Sequence, residues 1–127
     1  MNMSDCFILL AAGKGKRFKS NTLKQYHILN GKPLIDHSIE KALKSKLFKE
    51  IILVTNSKIK KPKEKSIKVI KGGSERFESS KKALEYIKNK KFKNVYIHDA
   101  ARPYFTIKLL EKLKKELKKN KASSSLY

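Results

Sequence analysis

An apolar run that breaks into two closely spaced glycines constrains this chain more than any other feature. Residues 7–18 read FILLAAGKGKRF, so a stretch with the character of a buried strand leads into a loop with Gly13, Gly15 and three cations. Glycine lets backbone N–H groups approach an anion closely, and the cations match the charge of that anion. The segment therefore predicts a strand followed by a loop that holds a polyphosphate.

The spacing of these glycines argues against two common nucleotide-binding loops. A P-loop ends in Gly-Lys-Ser or Gly-Lys-Thr, and neither hydroxyl residue follows a Gly-Lys pair in this sequence. The dinucleotide fingerprint needs a further glycine at the position of Phe18. The loop therefore belongs to another class of phosphate-binding sequence.

A net charge of +21 suggests a nucleic acid or another acidic surface as a partner. However, only three of the 32 basic residues are arginines, and the lysines are spread over every predicted helix and loop. This distribution is typical of lysines on solvated faces, so we expect no nucleic-acid partner. Because arginine is used so rarely, we expect Arg17, Arg76 and Arg102 where a planar guanidinium is needed.

A nucleic-acid-binding module is the alternative from another functional class. It predicts aromatic side chains exposed among the basic residues, where they would stack on bases. We expect the aromatic side chains to lie instead within apolar patterns or beside strands; they are Phe77, Tyr86, Phe92 and Tyr96.

The single cysteine, Cys6, lies in the first apolar run, where we expect a buried, reduced thiol without a catalytic role. The apolar stretch 6–12 is too short to span a membrane and lacks the flanking features of a signal peptide. We therefore expect a cytoplasmic protein that does not bind membranes.

The length of the chain fits one domain, residues 1–127.

Short apolar runs alternate with helical stripes along the chain. Strands are predicted over residues 6–10, 51–55, 67–70 and 95–98, and helices over residues 33–47, 75–88 and 107–117. The strands are apolar almost throughout, as is typical when both faces of a sheet are covered. This order predicts a Rossmann-like α/β three-layer sandwich with a mostly parallel sheet.

The last two predicted helices each carry one apolar stripe that we expect to face the sheet. The stripe of the helix over 75–88 comprises Phe77, Ser80, Ala83, Leu84 and Ile87. The stripe of the helix over 107–117 comprises Leu109, Leu110, Leu113 and Leu117.

Ligands in such folds bind beyond the carboxyl ends of the strands. The first, third and fourth predicted strands end at the glycine loop, at residues 72–73 near Arg76, and at residues 98–99 near Arg102. These features predict a phosphate-binding site at one sheet edge. Asp99 can ligate Mg²⁺, and Arg102 can grip a phosphate with two hydrogen bonds. We expect a structural role for His98.

Four segments in this order resemble successive motifs of the 2-C-methyl-D-erythritol 4-phosphate cytidylyltransferase family. They are LAAGKGKR over 10–17, KQY over 24–26, GGSERFES over 72–79 and HDAARP over 98–103. The resemblance implies a fold of the nucleotide-diphospho-sugar transferase type and Mg²⁺ or another divalent cation as cofactor. It implies transfer of CMP from CTP to methylerythritol phosphate, with release of pyrophosphate, in non-mevalonate isoprenoid biosynthesis.

The resemblance also implies a role for each matching residue. The backbone that wraps the CTP would be that of Ala11, Ala12, Gly13 and Gly15. The cations that bind CTP and stabilise the transition state would be Arg17 and Lys24. The cytosine would be read by Gly73, Ser74 and Ser79, in a loop that Arg76 orders. Asp99 would hold Mg²⁺ and, together with Arg102, place the methylerythritol phosphate.

The resemblance has departures and a close rival. Ser74 stands where the family frequently has an acidic residue, and the sequence stops near the point where the family's next strand would begin. We therefore expect an N-terminal portion of a family member, with an incomplete domain that is truncated at its C-terminus. Full-length members are expected to be homodimers. The rival, a ribitol-5-phosphate cytidylyltransferase, tends to differ from this sequence at residues 11–13 and 100–101.

Overall fold

A parallel sheet organises this protein, whose computed structural model describes residues 4–12, 28–29, 31–56, 64–100 and 105–120. The sheet has four strands in the spatial order β5-β4-β1-β6, which are β1 (Asp5–Leu10), β4 (Phe48–Val54), β5 (Ile67–Ile70) and β6 (Asn94–Asp99). All neighbouring pairs run parallel. Two short strands, β2 (Ile28–Leu29) and β3 (Lys32–Pro33), form a separate antiparallel pair. The predicted α/β class with a parallel sheet is confirmed.

Helices cover both faces of the sheet, which gives the three predicted layers. One face packs against α1 (Leu34–Ser45) and α3 (Ile107–Asn120), and the other face packs against α2 (Arg76–Ile87). Successive side chains of a strand point to opposite faces. In β1, Phe7 and Leu9 accordingly join the core beneath α1 and α3, whereas Ile8 joins the core beneath α2.

The predicted elements occur with shifted ends. The helix predicted over 33–47 begins at Leu34 and ends at Ser45. It ends early because Lys46 adopts a left-handed φ of 57°, a common way for a helix to end. The small β2–β3 pair was not predicted, since two-residue strands are too short to show a period in the sequence.

The predicted inward faces of α2 and α3 are partly wrong. In α2, the predicted residues Ala83 and Ile87 are buried, whereas Phe77 is 69% exposed and Leu84 is 45% exposed. In α3, Leu109 is 39% exposed, although the predicted inward residues Leu110 and Leu113 are buried. The buried residue of α2 that was not predicted is Ser79, whose Oγ accepts a hydrogen bond from the Gly73 N–H.

Two of the four aromatic side chains expected within apolar patterns are exposed instead. Tyr86 is 39% exposed, and Phe77 lies on the outer face of α2 beside Arg76 and Lys81. The expectation holds for Tyr96, which is buried, and for Phe92, which packs partly buried against the α2 side of the core.

A buried ion pair fastens α3 to the amino edge of the sheet. Asp5 is fully buried, and its Oδ2 lies 3.1 Å from the Nζ of Lys114. Its Oδ1 accepts a hydrogen bond of 3.1 Å from the Nδ2 of Asn94 at the start of β6. Burial and the neighbouring Asp5 raise the pKa of Tyr96, so this phenol stays neutral. A buried charge that loses its partner is strongly destabilising.

Replacing the lysine of this pair tests its contribution. In Lys114→Met, the Asp5 carboxylate stays buried without its cation, and we expect the free energy of unfolding to fall by about 3 kcal/mol. Urea unfolding measures the change. The matched control is Lys112→Met on the same helix, where the side chain is exposed and the change should stay within about 0.5 kcal/mol. An equal effect of both substitutions would contradict this role.

Candidate functional site

The strand register brings the predicted site residues to the carboxyl edge of the sheet. Leu10 at the end of β1 lies opposite Val54 of β4 on one side and Asp99 of β6 on the other. Val54 in turn lies opposite Ile70 of β5. The segments that follow these four strands therefore all begin at the carboxyl edge of the sheet, side by side.

A crevice is expected between the ends of β1 and β6, because the strand order reverses there. The chain passes from β1 to β4 and β5 on one side, and α2 then returns it to β6 on the other side of β1. Such a reversal is where parallel α/β sheets bind ligands. Ala11 and Ala12 follow β1, and Asp99 ends β6, so these three predicted site residues flank the crevice.

The first residues after β1 are held firmly by the sheet. The N–H of Ala11 donates to the carbonyl of Val54 at 2.7 Å, and the N–H of Ala100 donates to the carbonyl of Leu10 at 3.0 Å. Ala11 and Ala12 are both buried. The start of the predicted phosphate loop is thus a continuation of the sheet.

The loop after β5 is packed too tightly for any residue but glycine at position 72. A Cβ added there would overlap the Cβ of Ala12 and lie 2.7 Å from the Oγ of Ser79 and 3.0 Å from Cγ1 of Val54. The N–H of Gly72 donates to the Oδ1 of Asn56 at 3.1 Å. The loop therefore lies directly against the β1 and β4 ends.

The residues predicted to read the cytosine have different surroundings in this loop. Ser79 is buried, and its Oγ accepts the N–H of Gly73 at 3.0 Å, so it holds the loop from beneath. Ser74 is exposed, and its hydroxyl donates to the Oε1 of Glu78 at 3.0 Å. Ser74 consequently lies on the solvent side of the loop, where a ligand can reach it.

Asp99 lies at the crevice with Arg76 near it. The Nη1 of Arg76 is 3.7 Å from the Oδ2 of Asp99, and the two side chains are 48% and 37% exposed. This ion pair joins the start of α2 to the end of β6, which agrees with a role for Arg76 in ordering its loop.

The donor set around Asp99 suits a metal that is shared with a substrate. Within the described parts of the chain, no three His, Cys, Asp or Glu side chains come together as a metal cluster. Mg²⁺ is commonly held by one or two carboxylates together with substrate phosphates. A single, partly exposed carboxylate such as that of Asp99 fits this kind of site.

Five predicted site residues lie outside the described residues, namely Gly13, Gly15, Arg17, Lys24 and Arg102.

The structure also places at the carboxyl edge a residue that the sequence did not predict there. Asn56 follows β4 by two residues and contacts the segments after β1 and β5. Its place just after a buried strand, at the one strand end without an assigned residue, is the signal that could have found it.

Two potentially reactive side chains, one near the carboxyl edge and one near the amino edge, are part of the core. The His98 ring packs against Phe105, with a centroid distance of 4.7 Å and an edge-on geometry, and is buried. Cys6 is buried beneath α2, and burial raises the pKa of its thiol to about 12. Both positions agree with the structural roles that the sequence predicted.

A family model for 2-C-methyl-D-erythritol 4-phosphate cytidylyltransferase matches residues 6–126 of the chain. The chain belongs to this cytidylyltransferase family. The match covers all of the four-stranded sheet except Asp5, the first residue of β1.

Relatives and solved structures carry the same family name. The bifunctional enzyme IspD/IspF of Pelagibacter ubique is 54% identical over 122 residues, which cover 93% of this chain and 33% of the relative. The 2-C-methyl-D-erythritol 4-phosphate cytidylyltransferase of Caldicellulosiruptor bescii is 42% identical over 118 residues, which cover 87% of this chain and 52% of the relative. The chain thus spans about half of the length of this relative, and a third of the bifunctional one.

The crystal structure of the cytidylyltransferase from Francisella tularensis superimposes with a TM-score of 0.73 at 32% identity, covering 91% of this chain and 52% of that chain. The bifunctional IspDF from Campylobacter jejuni superimposes with a TM-score of 0.76, also at 32% identity, and the match covers 91% of this chain and 31% of that chain. These similarities confirm the fold class expected from the motifs. Among the helices that the structure describes, none has the length and apolar character needed to cross a membrane.

The close packing of Gly72 predicts the effect of one added methyl group. In Gly72→Ala, the new Cβ overlaps Ala12 and crowds Val54, so we expect the free energy of unfolding to fall by about 1–3 kcal/mol. Ser74→Ala in the same loop is the control, because it removes only an exposed hydrogen bond. Urea unfolding of both variants is the measurement, and an unperturbed Gly72→Ala protein would show that the loop does not pack as described.

The buried state of Cys6 predicts very slow labelling of its thiol. Because the thiolate is the reactive form, a thiol reagent at about pH 8 should modify the native protein at least a hundredfold more slowly than the urea-unfolded protein. The same chain in denaturing urea is the control, since Cys6 is the only thiol. Fast labelling of the native protein would contradict the buried, unreactive state.

Proposed function

We propose that this protein transfers a cytidylyl group from CTP to 2-C-methyl-D-erythritol 4-phosphate in the non-mevalonate synthesis of isoprenoid precursors. One observation carries the proposal. In a chain of this family, the segments at residues 11–12 and 72–74 and the carboxylate of Asp99 meet at the same edge of the sheet, around the crevice where the strand order reverses.

The reaction requires positioning more than a strong base. A phosphate oxygen of the acceptor attacks the α-phosphorus of CTP, and a new P–O bond forms. The bond from the α-phosphorus to the oxygen bridging the β-phosphorus breaks, and pyrophosphate leaves with that electron pair. Because the attacking oxygen is already anionic, catalysis depends on alignment and on neutralising the developing charge.

The residues divide this work between them. The backbone from Ala11 onward, through Gly13 and Gly15, wraps the triphosphate. A hydrogen bond to Val54 holds Ala11, and one from Asn56 reaches Ala12. Arg17 and Lys24 neutralise the charge that develops at the α-phosphorus. Losing one such contact typically costs about 100- to 1,000-fold in rate.

The base and the acceptor occupy the two flanks of the crevice. The loop at residues 72–74 lies beside the cytosine, with Gly73 and the exposed Ser74 nearest to it and Ser79 holding the loop from beneath. Asp99 would hold Mg²⁺, which would supply positive charge beside the phosphates. Arg76, at the start of α2, forms an ion pair with this carboxylate and orients it. Arg102 and Asp99 together place the methylerythritol phosphate.

The proposal extends to location and partners. We place the protein in the cytoplasm, without a membrane or nucleic-acid partner, and expect longer members of the family to be homodimers. The scattered lysines and the scarcity of arginine support the absence of a nucleic-acid partner. The dimer is supported by the family resemblance alone.

Calorimetric titration of CTP with Mg²⁺ tests the nucleotide half of the proposal. The chain should bind CTP, and Arg17→Ala should weaken the affinity by about tenfold or more, because a charge-assisted contact to phosphate is lost. Lys112→Met removes the same charge from an exposed position on α3 and should change the affinity by less than about twofold. A folded sample that binds no CTP, or an affinity unchanged by Arg17→Ala, would overturn the assigned site.

Pyrophosphate release from a chain extended to the full length of the family identifies the acceptor, since the short chain is expected to have an incomplete acceptor half and can bind CTP without turning it over. With the full-length chain we expect release with CTP, Mg²⁺ and 2-C-methyl-D-erythritol 4-phosphate, and none with ribitol 5-phosphate in its place. Release with ribitol 5-phosphate alone would assign the protein to the rival activity.

A further inference from the structure

Asn56 joins three segments at the carboxyl edge through a single side-chain amide. Its Nδ2 donates to the carbonyl of Gly73 at 3.1 Å and to the carbonyl of Ala12 at 3.4 Å. Its Oδ1 accepts the N–H of Gly72 at 3.1 Å. The partners are separated from Asn56 by 44, 17 and 16 positions in the sequence, so the contacts link distant parts of the chain.

The chemistry of these contacts determines the orientation of the amide. Two of the partners are carbonyl oxygens, which need donors, and the third is an N–H, which needs an acceptor. A primary amide supplies both functions on one planar group, with two N–H donors and one carbonyl oxygen. A flipped amide would place its oxygen against both carbonyls, so a single orientation satisfies all three contacts.

We propose that Asn56 is a positioning residue that sets the loop at residues 72–74 relative to the strand end at Ala11 and Ala12. This inference rests on the proposed function, in which the loop lies beside the cytosine and the strand end begins the triphosphate cradle. Asn56 therefore fixes the distance between the place of the base and the place of the phosphates. It acts through backbone groups and needs no contact with the nucleotide itself.

The glycine pair depends more on Asn56 than the strand end does. Ala11 is already tied to Val54 by a backbone hydrogen bond, and the bond from Asn56 to Ala12 is the longest of its three. Gly72 and Gly73 belong to no strand, and their contacts to Asn56 are shorter. Loss of Asn56 should therefore move the loop at residues 72–74 and leave the strand end at Ala11 and Ala12 in place.

Asn56 also offers a clean substitution, because the residue is exposed and contributes little to the core. Asn56→Asp keeps the size of the side chain but removes both donors and sets a carboxylate against the carbonyls of Ala12 and Gly73. Asn56→Ala removes all three contacts. Lys82→Met is the matched control, since it removes a single 3.2 Å hydrogen bond from Lys82 to the carbonyl of Gly72.

The test combines amide hydrogen exchange without ligand with two binding titrations in Mg²⁺, one with CTP and one with inorganic triphosphate. In Asn56→Ala, exchange of the Gly72 N–H should be at least about tenfold faster, because this N–H loses its acceptor. In Asn56→Asp, a carboxylate oxygen can still accept this N–H, so that variant tests the two donor contacts through the binding titrations. Affinity for CTP should fall by about tenfold, whereas affinity for inorganic triphosphate should change by less than about twofold. Lys82→Met should change all three quantities by less than about threefold.

A general loss of stability gives a different pattern, and Lys114→Met provides that comparison at the opposite edge of the sheet. It should lower stability while leaving the ratio of CTP affinity to triphosphate affinity unchanged. The inference is overturned if exchange at Gly72 is unchanged in Asn56→Ala, or if CTP and triphosphate affinities fall together in either variant. If the unsubstituted chain binds no CTP, the proposed function itself has failed. Exchange of the Gly72 N–H then tests the positioning role without a ligand.

Discussion

Pairing of β1 with a parallel strand on each side is the constraint on which the rest of the structure depends. Its residues are buried from Asp5 to Leu10, with Phe7 and Ile8 packed under helices on opposite faces. A slip of one residue in its register would exchange these side chains between two cores that are packed by different helices. The same register sets Leu10 level with Val54 and Asp99, and the position of the site follows from it.

The two edges of the sheet are stabilised by different interactions. At the amino edge, the buried pair of Asp5 and Lys114 fastens α3 to the sheet. At the carboxyl edge, neutral hydrogen bonds from Asn56 and Ser79 hold the glycine pair, and the exposed pair of Arg76 and Asp99 crosses toward β6. The charged pair at the amino edge is thus more deeply buried than the charged pair at the carboxyl edge, where charged ligands are expected.

The sequence predicted the four strands of the large sheet because each has a short run dominated by apolar residues, although β4 begins three residues before its predicted start. It assigned part of the inner face of α2 wrongly, since the buried Ser79 is polar and its contact with Gly73 does not show in apolar periodicity. Asn56 was missed for a similar reason, because its partners are distant in the sequence. The roles of Arg17, Lys24 and Arg102 come from the resemblance and stay predictions.

The site at the carboxyl edge is tested most directly by mapping backbone amide chemical shifts while the isotope-labelled chain is titrated with CTP and Mg²⁺. We expect the largest shifts at the carboxyl edge, at Ala12, Gly73 and Asp99, whereas Asn94 and Lys114 at the amino edge stay unshifted. Shifts spread along the lysines of α3, with none at Ala12 or Gly73, would show that the nucleotide binds the basic surface and would contradict the assigned site.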